Sequence, residues 1–155
     1  MLTALGAQPW RMRTFAKTLA RLMHALHELP VPAWLEPRLG DGDRLVHLDL
    51  HPDNVMLGAR GPVVIDWTNA GRGDPHAEVA DVWLVMANAE IPGSGPRVAV
   101  LSAGRRLFLR SFVNEFDRDA VRRRLQIAME HRFRDPNMTA PERERMKRFV
   151  ERYAL

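Results

Sequence analysis

Residues 44–66 read RLVHLDLHPDNVMLGARGPVVID, and the organisation of the chain follows from them. An apolar run, Leu45-Val46-His47-Leu48, reads as a strand that enters a polar loop from Asp49 to Asn54. A short run, Val55-Met56-Leu57, the segment Gly58-Ala59-Arg60-Gly61 and a second run, Val63-Val64-Ile65, then lead to Asp66. Two β-rich runs separated by a short segment with glycine at each end predict a hairpin. With the turn centred near Arg60, Val55 faces Ile65 and Asn54 faces Asp66. Directly opposed residues lie about 4.5–5.5 Å apart at Cα.

Two side-chain oxygens at that separation can share one hard cation, with magnesium–oxygen distances of about 2.1 Å. Asp49 stands at the strand exit, its carboxylate aimed into the same mouth. A base, an amide ligand and a carboxylate ligand then converge on one point, the set that phosphoryl transfer needs.

The pattern His47-x-Asp49-x4-Asn54, followed by Ile65-Asp66-Trp67, resembles the catalytic loop and metal-binding aspartate of the kinase-like fold. The fuller string HLDLHPDNV…VIDW…GDP is similar to the aminoglycoside phosphotransferase and choline-kinase-like branch; protein kinases carry His-Arg-Asp and Asp-Phe-Gly instead. The resemblance implies an α+β, mostly α-helical fold: the C-terminal lobe of the protein-kinase-like fold, with a small β-hairpin carrying the catalytic loop. It implies an ATP-dependent phosphotransferase, with Mg²⁺ and ATP (or another nucleoside triphosphate) as cofactors and a small-molecule hydroxyl as acceptor. Asp49 is then the catalytic base, Asn54 and Asp66 hold Mg²⁺ and through it the nucleotide, and His47 and His51 support the loop. Leu48 departs from the pattern, because the family usually has glycine there; the backbone at this point is less free than usual.

Two other readings of the stretch exist. Asp49 and Asn54 can simply make turn hydrogen bonds in a loop that caps a hairpin. Alternatively His47, Asp49 and His51 alternate, share a face of an extended strand, and ligate a transition metal as in metal-dependent hydrolases. That second reading needs further ligands. His24, His27, His76 and His131 lie in helical stretches without clear ligand spacing, although His24 and His27 could share a face.

With 155 residues, 46% hydrophobic and 27% charged, the chain reads as one soluble globular domain, residues 1–155, able to bury a sizeable core. It has no apolar run long enough for a spanning helix and no recognisable secretory signal. The cytoplasm is the default compartment. There are no cysteines, which excludes disulfides and thiolate metal sites. The net charge of +4 comes almost wholly from arginine, since Lys17 and Lys147 are the only lysines. Without interleaved aromatics or a recognised motif, this reads as solvated arginine-rich helix faces, with neither nucleic acid nor membrane as partner.

Upstream, Gln8-Pro9-Trp10 opens a helix. Met12, Phe15, Leu19, Leu22, Met23 and Leu26 then recur at helical steps as far as Leu29. Pro30 and Pro32 stop it, and residues 30–43 read as a linker of variable length. His24 and His27 read as helix-surface or interface residues. Downstream, Trp67 to Gly73 reads as a loop. Asp74-Pro75 caps a helix over about His76 to Ala89 that is apolar nearly all round and therefore buried. In the resembled family an acid on this helix braces the catalytic loop through its backbone. Glu78 falls at that position, usually aspartate, and Asp81 lies one turn on; one of them is expected to have that role. Helical periodicity resumes over 97–116, and Asp117 or Asp119 caps a helix to about His131. Thr139-Ala140-Pro141-Glu142 reads as a capping box opening a last helix to about Arg152.

The family's nucleotide-binding lobe, with its glycine-rich phosphate loop and lysine, has no counterpart in these residues, and neither lysine fits. The first function reading is therefore an enzyme represented by its substrate lobe, inefficient alone, to which another polypeptide or a preceding segment supplies the nucleotide lobe. The alternative is a non-catalytic, pseudokinase-like binding module. Either leaves apolar surface that points to a homodimer or a separate nucleotide-lobe partner. The arginine-heavy C-terminal helices favour a neutral or anionic substrate over a polycationic one.

Overall fold

The computed structural model describes residues 11–155; the expected helix start at Gln8-Pro9-Trp10 lies outside the described residues. Helix α1 spans Met12–His27 and buries Phe15, Leu19, Met23 and Leu26, while Arg13, Lys17 and Arg21 stay exposed. Strand β1 (Pro37–Leu39) and strand β2 (Arg44–Val46) follow. Next come a 3₁₀ turn (Pro52–Asn54), strand β3 (Val55–Gly58), strand β4 (Gly61–Val64) and strand β5 (Gly71–Gly73). The remainder is helical: α2 Pro75–Asn88, α3 Pro96–Val113, α4 Arg118–Arg123, α5 Leu125–Arg132 and α6 Ala140–Tyr153. The protein is thus mostly helical, α+β, with two small sheets.

The larger sheet has the order β1-β5-β2, with β5 parallel to β1 and antiparallel to β2. It corrects the expectation of a plain linker over 30–43 and a plain loop over 67–73. It also shortens the first expected strand, which ends at Val46 rather than Leu48. The new strands are three residues each, too short and too rich in glycine and arginine to show β-propensity. Close backbone approach makes them: a Cβ on Gly73 would lie 2.5 Å from the Leu39 carbonyl oxygen.

Helix α2 lies at the centre, packed by α3, α5 and α6. Ala77, Val79, Ala80, Val82 and Leu84 are buried on it, and so are two acids, Glu78 and Asp81. A stripe of arginines could not have replaced these apolar faces, because each unpaired buried charge costs several kcal/mol. The helix expected after Asp117 is broken at Arg124 into α4 and α5. Thr139 and Glu142 form the expected capping box. No helix among the described residues is long and apolar enough to cross a membrane.

Asp74 caps α2, its Oδ1 accepting from the amides of His76 and Ala77 at 2.8 and 3.3 Å, and its Oδ2 accepts from Arg124 Nε at 2.5 Å. Burial pushes its carboxyl up, but the Arg124 hydrogen bond and the two amides outweigh that and hold it below the usual range. A depressed folded pKa contributes stability that is present above the unfolded value, near 3.9, and is lost as pH falls through the folded one. Asp74→Ala is expected to cost about 1–2 kcal/mol at neutral pH. Its difference in Tm from the parent should shrink below about pH 4; a Tm difference that persists undiminished in thermal melts at low pH would contradict the cap's ionic character.

Candidate active site

The loop between β2 and β3 is fixed at Leu48. This leucine has φ +62°, a left-handed conformation that suits glycine and costs another residue roughly 1–2 kcal/mol. Two acids on α2 hold it there. Glu78 Oε1 accepts from the amides of His47 and Leu48 at 2.6 and 2.8 Å, and Glu78 Oε2 lies 2.6 Å from His27 Nε2. On the other side, Arg132 Nη2 donates to the Leu48 carbonyl at 3.2 Å. The same guanidinium forks onto Asp81, Nε to Oδ1 at 2.6 Å and Nη2 to Oδ2 at 2.5 Å. Burial works against the Arg132 charge, but the Asp81 carboxylate overrides it and drives the guanidinium pKa up.

Leu48 is only 2% exposed and packs with Leu39, Val46 and Ala77. Glycine would relieve the backbone but remove a buried side chain whose loss costs about 2–5 kcal/mol. Leu48→Gly is therefore expected to destabilise by about 1–3 kcal/mol. Urea titration decides the balance: a variant more stable than the parent would mean that strain outweighs packing.

Past Leu48, three polar side chains meet. Asn54 Nδ2 donates to the Asp49 carbonyl at 2.9 Å and to Asp49 Oδ2 at 3.0 Å. His51 Nε2 lies 3.5 Å from Asp49 Oδ1 and 3.3 Å from Asn54 Nδ2. His51 Nδ1 accepts from the Asp53 amide at 3.3 Å, which caps the 3₁₀ turn carrying Asn54 into the cluster. Because Nδ1 is an acceptor, Nε2 carries the ring proton and faces Asp49 Oδ1, while the amide protons of Asn54 go to the Asp49 carbonyl and carboxylate.

Asp66 reaches this neighbourhood differently from the expected way. The β3–β4 register pairs Val55 with Val64 and Gly58 with Gly61, so Asn54 is level with Ile65, whose amide donates to the Asn54 carbonyl at 3.0 Å. The expected pairs Val55–Ile65 and Asn54–Asp66 are therefore out by one residue. The turn holds Ala59 and Arg60 alone, and the reversal is completed by Gly61 at φ +118° rather than by an extra loop residue. A one-residue slip reverses the faces of a strand. Asp66, beyond the strand, has φ +63°, which turns the chain away from the ladder at that residue. The Thr68 hydroxyl donates to Asp66 Oδ1 at 2.5 Å. That bond, aided by nearby His47 and His51 and opposed by burial, keeps the carboxyl below its usual range. Asp66 thus offers an ionised carboxylate, held in place by Thr68.

His47 is fully buried with both ring nitrogens engaged. Nδ1 accepts from the Asp49 amide at 3.3 Å and Nε2 donates to the Ile65 carbonyl at 3.0 Å. The imidazole ties the loop to the hairpin and packs on Trp67, 4.8 Å between ring centroids. It has no lone pair left for a metal. The transition-metal reading of His47, Asp49 and His51 therefore fails, and among the described residues no group of three or more His, Cys, Asp or Glu is arranged to hold a metal ion.

Two residues of the site escaped the sequence. His27 is not on the surface: it is 6% exposed and pairs with Glu78. Its spacing from Ala16, Ala20 and Met23 put it on the buried face of α1, a signal that was available. Arg132 had no such signal; one arginine among many at the end of α5 is distinguished only by the Asp81 it meets. Both acids on α2 brace the loop, Glu78 directly and Asp81 through Arg132.

The model of the phosphotransferase enzyme family matches residues 3–123. Thiamine kinases of Salmonella paratyphi B (strain ATCC BAA-1250 / SPB7) and Salmonella newport (strain SL254) are each 34% identical over 88 residues, covering 54% of this chain and 29% of the relative. The chain thus spans under a third of the length of the curated relatives it matches. No solved structure matches it.

Proposed function

The chain belongs to the phosphotransferase enzyme family, and from that premise we propose that it is the acceptor-side lobe of a small-molecule kinase using ATP and Mg²⁺. The observation that carries this reading is the convergence of Asp49, His51 and Asn54 on a loop clamped at Leu48 from both its amide and its carbonyl. Asp49 accepts the proton of the acceptor hydroxyl as its oxygen bonds to the γ-phosphorus and the bond to the β-phosphate oxygen breaks, releasing the nucleoside diphosphate. Asn54 Oδ1 and Asp66 Oδ2 are hard oxygen donors, few in number, which fits an ion that keeps waters and phosphate oxygens in its shell. Mg²⁺ there would neutralise the phosphate charge. His47, His51 and Glu78 position the loop. The groups that grip the nucleotide come, in this proposal, from residues outside this stretch or from a second polypeptide.

The relatives' name makes the thiamine hydroxyl one candidate acceptor; the arginine-rich helices favour a neutral or anionic one. A panel of small alcohols including thiamine, with labelled ATP and the full-length protein, separates them. Label transferred to none of them, under conditions where Mg²⁺-nucleotide binds, would sink the kinase reading.

A second reading, a pseudokinase-like binding module, has its own support. Met56, Leu57 and Val63 on the hairpin are 50–59% exposed, an apolar surface that favours a homodimer or a covering lobe. Light scattering that gives a monomer at all concentrations, with these residues open to solvent, would count against it.

A further inference from the structure

Helices α2, α3 and α6 enclose a cleft of about 680 Å³, none of whose lining residues belongs to the catalytic loop. Its rim is arginine. Helix α3 contributes Arg105, Arg106 and Arg110, and α6 contributes Arg145, Arg148 and Arg152 at steps of three and four, one helical face. Its floor is apolar and aromatic: Leu109 and Phe149 meet Trp83 of α2, which stands edge-on to Phe149 at 5.2 Å. No acidic side chain lines it.

Solvated arginine faces would spread around the helices; here they converge on one concavity. The acids that do approach sit outside, in exposed pairs worth little: Glu90 with Arg145 at 3.0 Å and Glu144 with Arg148 at 3.1 Å. The guanidiniums of Arg106, Arg110 and Arg152 have no hydrogen-bond or ion-pair partner among the described residues. The Arg145 Nε is buried with no acceptor, a donor that costs free energy until one arrives. Arg105 is pushed toward its neutral form by burial and by the Arg106 charge beside it, a crowding that a bound anion would relieve.

We propose that this cleft binds a small organic phosphate carrying a flat ring, with the phosphate among the guanidiniums and the ring on Trp83 and Phe149. Guanidinium forks match phosphate oxygens, and aromatic faces accept a ring. The volume falls in the range of small-molecule pockets, roughly 300–1,000 Å³, and a walled cleft suits such a ligand better than a nucleic-acid strand. The site is distinct from the proposed kinase centre. Along α2, Asp81 turns to the loop, and Trp83, two residues on and so about 200° around the helix, turns to the cleft.

The test is calorimetric titration of the full-length protein, free of Mg²⁺, with flavin mononucleotide, riboflavin and inorganic pyrophosphate. Flavin mononucleotide should bind most tightly, pyrophosphate more weakly and riboflavin not measurably. Arg106→Glu and Arg152→Glu should each weaken flavin mononucleotide binding at least about tenfold, and Arg106→Gln and Arg152→Gln should show the same order if charge reversal disturbs folding. Neither Arg106 nor Arg152 belongs to the proposed kinase centre, so a loss of binding in their variants separates this cleft from that centre. Absent flavin mononucleotide binding, or binding indifferent to the arginine variants, overturns the proposal. So does a single-stranded oligonucleotide that binds through the same arginines while flavin mononucleotide does not.

Discussion

Asp49→Asn is expected to lower kcat for phosphoryl transfer by about 10²–10⁴-fold, the range for removing a positioned general base. Asparagine is nearly isosteric and its oxygen can still accept from Asn54 Nδ2, now 3.0 Å from the carboxylate. The loop should therefore keep its shape, and Tm should stay within about 2 °C of the parent. What asparagine cannot do is take up the hydroxyl proton. The KM for nucleotide should change little, because Asn54 and Asp66, the proposed Mg²⁺ ligands, remain. A kcat within fivefold of the parent would remove Asp49 from the chemistry, and a collapse of Tm would show that its role is structural.

Glu78→Ala should have the largest effect on stability. Glu78 is fully buried and satisfies two loop amides and the Nε2 of a nearly buried histidine. Truncation leaves all three without their partner, and breaking such a buried pair costs about 3–5 kcal/mol. Glu78→Gln keeps an oxygen for the amides and should cost about 1–2 kcal/mol. Glu78→Asp, the residue usual in the family, is one methylene too short to span amides and His27 together. Urea unfolding distinguishes these; a loss under about 1 kcal/mol for the alanine variant would mean that water replaces the carboxylate, contrary to the burial.

The parts of the fold that sequence makes legible are those with a strong local cause. Asp74-Pro75 sets the start of α2 and Thr139 with Glu142 sets the start of α6, because each cap satisfies amides of its own helix. The apolar period of α1 is visible because one face alone is buried. The sheet β1-β5-β2 is invisible, since its pairings join residues 25 to 35 apart and rest on glycines approaching backbone. At the site, Asp49, Asn54 and Asp66 stand out by spacing, and Glu78 by being an acid in an apolar helix. The register stays open by one residue in the sequence, because Ala59 and Arg60 give no sign of where the reversal centres. Arg132 carries no mark in the sequence, because long-range ion pairs leave no trace in the spacing of either partner.

Glu78 and Asp81 are three residues apart on one helix; Glu78 ends at the Leu48 amide, and Asp81 at Arg132, which holds the Leu48 carbonyl. A shift of α2 along its axis by a single residue, about 1.5 Å, would strain the first contact and the anchor of the second in one movement. The setting of the turn is thus geared to one rod, directly on its amide side and through a guanidinium on its carbonyl side.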